Sequence, residues 1–241
     1  MPFSIPPTVA RIYETNLTAA SRLGGTVTAG ATAHTKGAYA QIIAATAKPS
    51  YGLWLTIMSV ATAATVTSML LDLAIGAAAS ELVVIPNINA DAASGAIAGG
   101  RTYWFPIYIP SGSRIAARSQ AAIVSDTCDV ALWLCQDALY PWAISRVKDY
   151  GTDLAASRGT SVTPGTNVFG AWAELVASTA REHSYWTCGM DQLMDTTLVG
   201  MNYLVELGFG AAAAERVFAQ FRTNVSSDEM VLSLVPPLIY F

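Results

Sequence analysis

The chain has 241 residues, enough for one large β domain or two of ordinary size. Only 12% are charged, about half the roughly 25% typical of soluble domains, while 53% are hydrophobic and the formal net charge is −4. The basic residues never form a run, which argues against a nucleic-acid surface or an anionic membrane surface, since both need clustered Lys and Arg.

So few charges protect a monomer poorly against association, and the composition fits either an Ala- and Thr-rich surface that is merely neutral or one covered by partner subunits. The start of the chain, Met1-Pro2-Phe3-Ser4-Ile5-Pro6-Pro7, has neither a basic nor an apolar stretch and does not read as a signal peptide. Three cysteines, Cys128, Cys135 and Cys188, make no disulfide framework. If the first two share a strand they stand about 23 Å apart, too far to bridge. They read as buried thiols of a protein made in a reducing compartment.

Along the chain, blocks recur in order. Tyr13-Glu14-Thr15-Asn16-Leu17-Thr18-Ala19-Ala20-Ser21-Arg22 is similar to Tyr150-Gly151-Thr152-Asp153-Leu154-Ala155-Ala156-Ser157-Arg158. Thr26-Val27-Thr28-Ala29-Gly30 matches Ser161-Val162-Thr163-Pro164-Gly165, and Gly37-Ala38-Tyr39-Ala40-Gln41-Ile42-Ile43-Ala44 matches Gly170-Ala171-Trp172-Ala173-Glu174-Leu175-Val176-Ala177. Asp72, Gly76 and Glu81 align with Glu206, Gly210 and Glu215 at a shift of 134 (206−72). Arg114-Ile115-Ala116-Ala117 aligns with Arg216-Val217-Phe218-Ala219, and Ser125-Asp126 with Ser227-Asp228, at a shift of 102 (228−126). The second copy therefore lacks about 32 residues (134−102) of the first.

Leu53 to Leu71 has no charge and could span a bilayer by length. Its counterpart Cys188 to Val205 carries Asp191 and Asp195, so a span is rejected. At 69–75 large apolar residues alternate in both copies (Met69, Leu71, Leu73, Ile75 against Tyr203, Val205, Leu207, Phe209), which predicts a strand with one buried face. Ala77-Ala78-Ala79-Ser80-Glu81 suggests one helical turn. The segment that only the first copy has, about 82–113, reads as a long loop from Asn87 to Gly100 followed by an aromatic hairpin with Tyr103, Trp104, Phe105 and Tyr108. Those aromatics either close the core or dock a partner, as Tyr240 and Phe241 at the apolar C-terminus do in the second reading. Ile115, Ala117 and Ser119, then Val130, Leu132 and Leu134, predict two further strands, with Arg114, Arg118 and Gln120 on the opposite face of the first.

The sequence thus predicts an all-β chain: two tandem antiparallel β-sandwich domains, jelly-roll-like, at 1–142 and 143–241. No catalytic constellation, metal set or cofactor motif is found. His34 and His183 occupy non-equivalent places, and Asn87-x-Asn89-x-Asp91 lacks the glutamate a calcium loop needs. Acidic residues kept in both copies, Asp72/Glu206 and Asp126/Asp228, read as structural. The segment Tyr108-Ile109-Pro110-Ser111-Gly112-Ser113-Arg114-Ile115-Ala116-Ala117-Arg118, followed by Val130-Ala131-Leu132-Trp133-Leu134, resembles β-sandwich proteins of tailed-phage particles. The resemblance implies a non-enzymatic virion component (neck, tail, fibre-anchoring or capsid-decoration) that is made in the host cytoplasm and contacts other virion proteins or further copies of itself. The alternative is a carbohydrate-binding module. Its platform would be Tyr39 or Trp172, the aromatic position present in both copies, beside Glu174.

Overall fold

In the computed structural model, residues 12–18, 24–59, 68–90, 101–136, 144–163, 165–166, 168–180, 202–212 and 214–224 are described. Among them there is no helix, and no helix long and apolar enough to cross a membrane. Val-, Ile- and Leu-rich alternation builds nine strands in the first part: β1 (Ile12–Thr15), β2 (Gly25–Thr28), β3 (Ala40–Ile43), β4 (Gly52–Ser59), β5 (Met69–Ile75), β6 (Leu82–Asn89), β7 (Arg101–Phe105), β8 (Ile115–Ala121) and β9 (Thr127–Cys135). They form two antiparallel sheets, one in the order β1-β9-β4-β7 with β2 also on β9, the other β3-β8-β5-β6.

The pairings are nested. β1 and β2 pair with β9, β3 with β8, β4 with β7 and β5 with β6. β9 also pairs with β4, and β8 with β5, which joins the nested pairs into the two sheets. Alternate residues of each sheet meet in one core: Leu53, Leu55, Tyr103, Phe105, Val130, Leu132 and Leu134 from the first, and Met69, Leu71, Leu73, Ile85, Ile115 and Ala117 from the second. The Tyr103 hydroxyl crosses between sheets to donate to the Asn89 carbonyl at 2.8 Å.

Asn16 lies where β1 ends and before β2 begins. Its side-chain amide donates to Val130 O at 2.7 Å and its oxygen accepts from Leu132 N at 2.8 Å. The side chain thereby stands in for a neighbouring strand over the stretch of β9 that neither β1 nor β2 reaches.

Three expectations change. Strand β5 has both faces buried, not one, because its outer residues Leu70, Asp72 and Ala74 are covered. Residues 77–80 form a hairpin turn, not a helical one: Gly76 and Ala79 have φ of +121° and +64°, and Ser80 N donates to Ala77 O. In the 82–113 segment, 82–89 is a strand and does not pair with 101–105 as a hairpin, while residues 91–100 lie outside the described residues. The segment's first eight residues are β6 in one sheet, and residues 101–105 are β7 in the other. Pro86 fits because β6 is an edge strand.

The chain after 144 returns to the first sandwich. Ile144 bridges Ile107, Val147 N donates to Val84 O, and the side chain of Gln120 donates to Leu154 O. Beyond it lie β10 (Thr152–Asp153), β11 (Arg158–Gly159), and a hairpin of β12 (Asn202–Phe209) and β13 (Arg216–Asn224).

Candidate functional site

The outer face of the β3-β8-β5-β6 sheet carries a packed polar cluster. Asp72 on β5 is cross-strand from Arg118 on β8 and accepts from Lys36 Nζ at 2.8 Å, Arg118 Nε at 3.0 Å and Asn87 N at 3.0 Å. Asn87, at φ +49°, accepts from Lys36 and donates to Asp149. Burial holds the Lys36 ammonium below the usual lysine range, against the pull of Asp72 in the other direction. Nearby, His34 Nδ1 and Gln120 Nε2 both reach the buried Ser157 hydroxyl at 3.0 Å. Every carboxylate and amide of this cluster is turned to a partner in the chain. Its chemistry is that of a tie between the first sandwich, the 31–39 loop and the 149–157 segment.

The sequence-derived candidates fall in different places. Tyr103 and Phe105 are buried in the core, stacked with centroids 6.2 Å apart. Tyr108 is exposed and leans on Tyr51. Tyr39 lies under the Arg118 guanidinium at 4.7 Å, and burial pushes its phenol up. Trp172 is exposed in a shallow groove with Ser161, Thr163 and Gly170, its ring edge against Gly208, and Glu174 is exposed outside any strand. Tyr39 is thus half-buried beside Arg118, while Trp172 faces the groove. Tyr240, Phe241, His183 and Cys188 lie outside the described residues.

The remaining aromatic, Trp104, belongs to an arrangement that sequence reasoning did not find. On the outer face of the other sheet, Trp104 on β7, Trp54 on β4 and Trp133 on β9 are directly cross-strand: Trp54 pairs with Trp104 on one side and with Trp133 on the other. The Trp54 and Trp104 rings are 5.0 Å apart and tilted by 48°. Trp104 lies across Gly52, where a Cβ would overlap its six-membered ring, and is only 7% exposed. Trp54 is 37% exposed and Trp133 half-buried. Two residue pairs further along the strands, next on the same face, the Thr56 and Thr102 hydroxyls hydrogen-bond each other at 2.8 Å. Thr15, opposite Trp133, is exposed.

Comparison with known proteins finds no matching family model, no similar curated protein and no similar solved structure.

Proposed function

We propose that this protein is an assembly component that works through protein–protein contacts, a structural part of a particle of the tailed-phage kind. The observation that carries the reading is the exposure of apolar residues in the second half. Val162 is 61% exposed where its first-copy counterpart Val27 is fully buried, and Val217 is 48% exposed where Ile115 is fully buried. Val168, Phe169, Leu204 and Phe209 are exposed as well. Apolar surface of this kind marks an association site.

Two structural readings belong to the same proposal. The first unit is a jelly roll, supported by the nested pairing of its strands, which is what a long antiparallel hairpin folded over into two sheets produces. That architecture serves both capsid and lectin domains, so surface chemistry and not fold selects between them. The second half is a shortened copy, supported by register: Leu73↔Ala117 and Leu71↔Ser119 of β5 and β8 correspond to Leu207↔Ala219 and Val205↔Phe221 of β12 and β13. The offsets are 134 (207−73) and 102 (219−117), the two shifts found in the sequence. Fused copies let one chain occupy two pseudo-equivalent positions of an assembly.

The test is the solution mass by light scattering of the wild-type chain and of a Phe209→Ser, Val217→Ser double variant. A defined wild-type oligomer that the variant loses supports the reading. A wild-type chain that stays monomeric at high concentration overturns it.

A further inference from the structure

We infer that the Trp104–Trp54–Trp133 row binds a neutral oligosaccharide. The row crosses three adjacent strands, so it extends over two inter-strand spacings, about 10 Å. That length suits a short chain of sugar rings better than a single one. The chemistry is amphipathic in the same sense as a sugar. Trp54 and Trp133 offer ring surface to the C–H face of a pyranose. The Thr56 and Thr102 hydroxyls lie about 7 Å away along the strands, in reach of its hydroxyl edge. Thr15 adds a hydroxyl at the Trp133 end.

The acidic side chain further along the outer face of β9, Asp129, is buried and accepts from the Thr26 hydroxyl at 2.7 Å. Preorganisation is built in. Gly52 leaves room for Trp104 to lie flat, and Trp104 in turn braces Trp54, so little side-chain freedom is lost when a ligand lands.

Area decides between a sugar and a protein partner. A tryptophan side chain has up to about 250 Å² to give. At the exposures of these three, the row presents roughly 200 Å² at most. A stable protein interface needs about 800 Å² per partner. The row is too small to carry one and is large enough for a small ligand.

This site is separate from the association surface of the second half, and its test reads separately. The full chain would be titrated with cellotetraose, chitotetraose and maltotetraose, following tryptophan fluorescence and ligand saturation-transfer signals. At least one is expected to bind, and Trp54→Ala to weaken it about tenfold or more, with solution mass unchanged and the chain still folded at the temperature of the titration. Thr56→Val, which keeps the shape and removes a hydroxyl, is expected to weaken binding by a smaller factor. Absence of binding by all three sugars, binding undiminished in Trp54→Ala, or binding lost in Trp172→Ala instead would overturn the inference. A Trp54→Ala variant that changes the solution mass would overturn it too, by making the row a protein contact.

Discussion

Removing the Asp72 carboxylate tests how the outer face of the β3-β8-β5-β6 sheet is held. Asp72 is buried and accepts three hydrogen bonds, two of them from cations. In Asp72→Ala, Lys36 and Arg118 keep their charges on a covered face without the carboxylate that pairs with both of them. Breaking a buried pair costs about 3–5 kcal/mol. Arg118 keeps 32% of its side-chain surface in water, which screens it and places the expected loss near the lower end, about 3 kcal/mol. Asp72→Asn keeps an acceptor and loses only the charge, so it is expected to cost less than Asp72→Ala. Lys36→Met combined with Asp72→Leu removes both charges and is expected to be far milder than the sum of the single changes. Urea unfolding at pH 7, followed by circular dichroism, measures these three variants together with the single changes Lys36→Met and Asp72→Leu. The reasoning is refuted if Asp72→Ala stays within about 0.5 kcal/mol of wild type, or if the Lys36 and Asp72 effects simply add.

Other consequences are equally direct. Burial, with Asp129 and Asp126 alongside, pushes the Cys128 thiol from 9.0 up to about 12. Below pH 9 it is neutral in both states; above that only the unfolded chain ionises, so its contribution to stability falls by about 1.4 kcal/mol per pH unit. Cys128→Ala is expected to flatten the decline between pH 9 and 11 in a denaturation series, and an unchanged slope would count against the burial. Gly52→Ala is expected to cost about 1–3 kcal/mol and to shift the tryptophan emission, since a Cβ there displaces Trp104. A chain ending at residue 142 is expected to unfold at lower urea than one ending at residue 160. Without 144–157, Gln120 loses its bonds to Leu154 and Ser157, and Asn87 its bond to Asp149, each worth about 0.5–1.5 kcal/mol.

What the sequence made legible was local. Alternation at 69–75 and 130–134 located β5 and β9 because each has a large apolar side chain at every core position, whereas β8, with Ile115, Ala117 and Ser119 facing the core, showed through Arg114, Arg118 and Gln120 on its opposite face. The outer side of β5 was misread because its cover comes from residues 31–39 and 147–157, distant in sequence, and Asp72 looks solvated until Lys36 and Arg118 are brought to it. Strand β6 was missed because Pro86 and two asparagines weaken its pattern, which an edge position tolerates. The tryptophan row could not be assembled from sequence. Trp54, Trp104 and Trp133 are ordinary singly, and only the registers of β4 with β7 and β9 align them.

The proposed association surface of the second half is tested most directly by hydrogen exchange of the intact chain at low and high concentration. Amides at 160–180 and 202–224 are expected to gain protection as concentration rises, while those of β4, β5, β8 and β9 stay constant. Exchange that is independent of concentration throughout, or that slows only in the first sandwich, would contradict an assembly role carried by these residues.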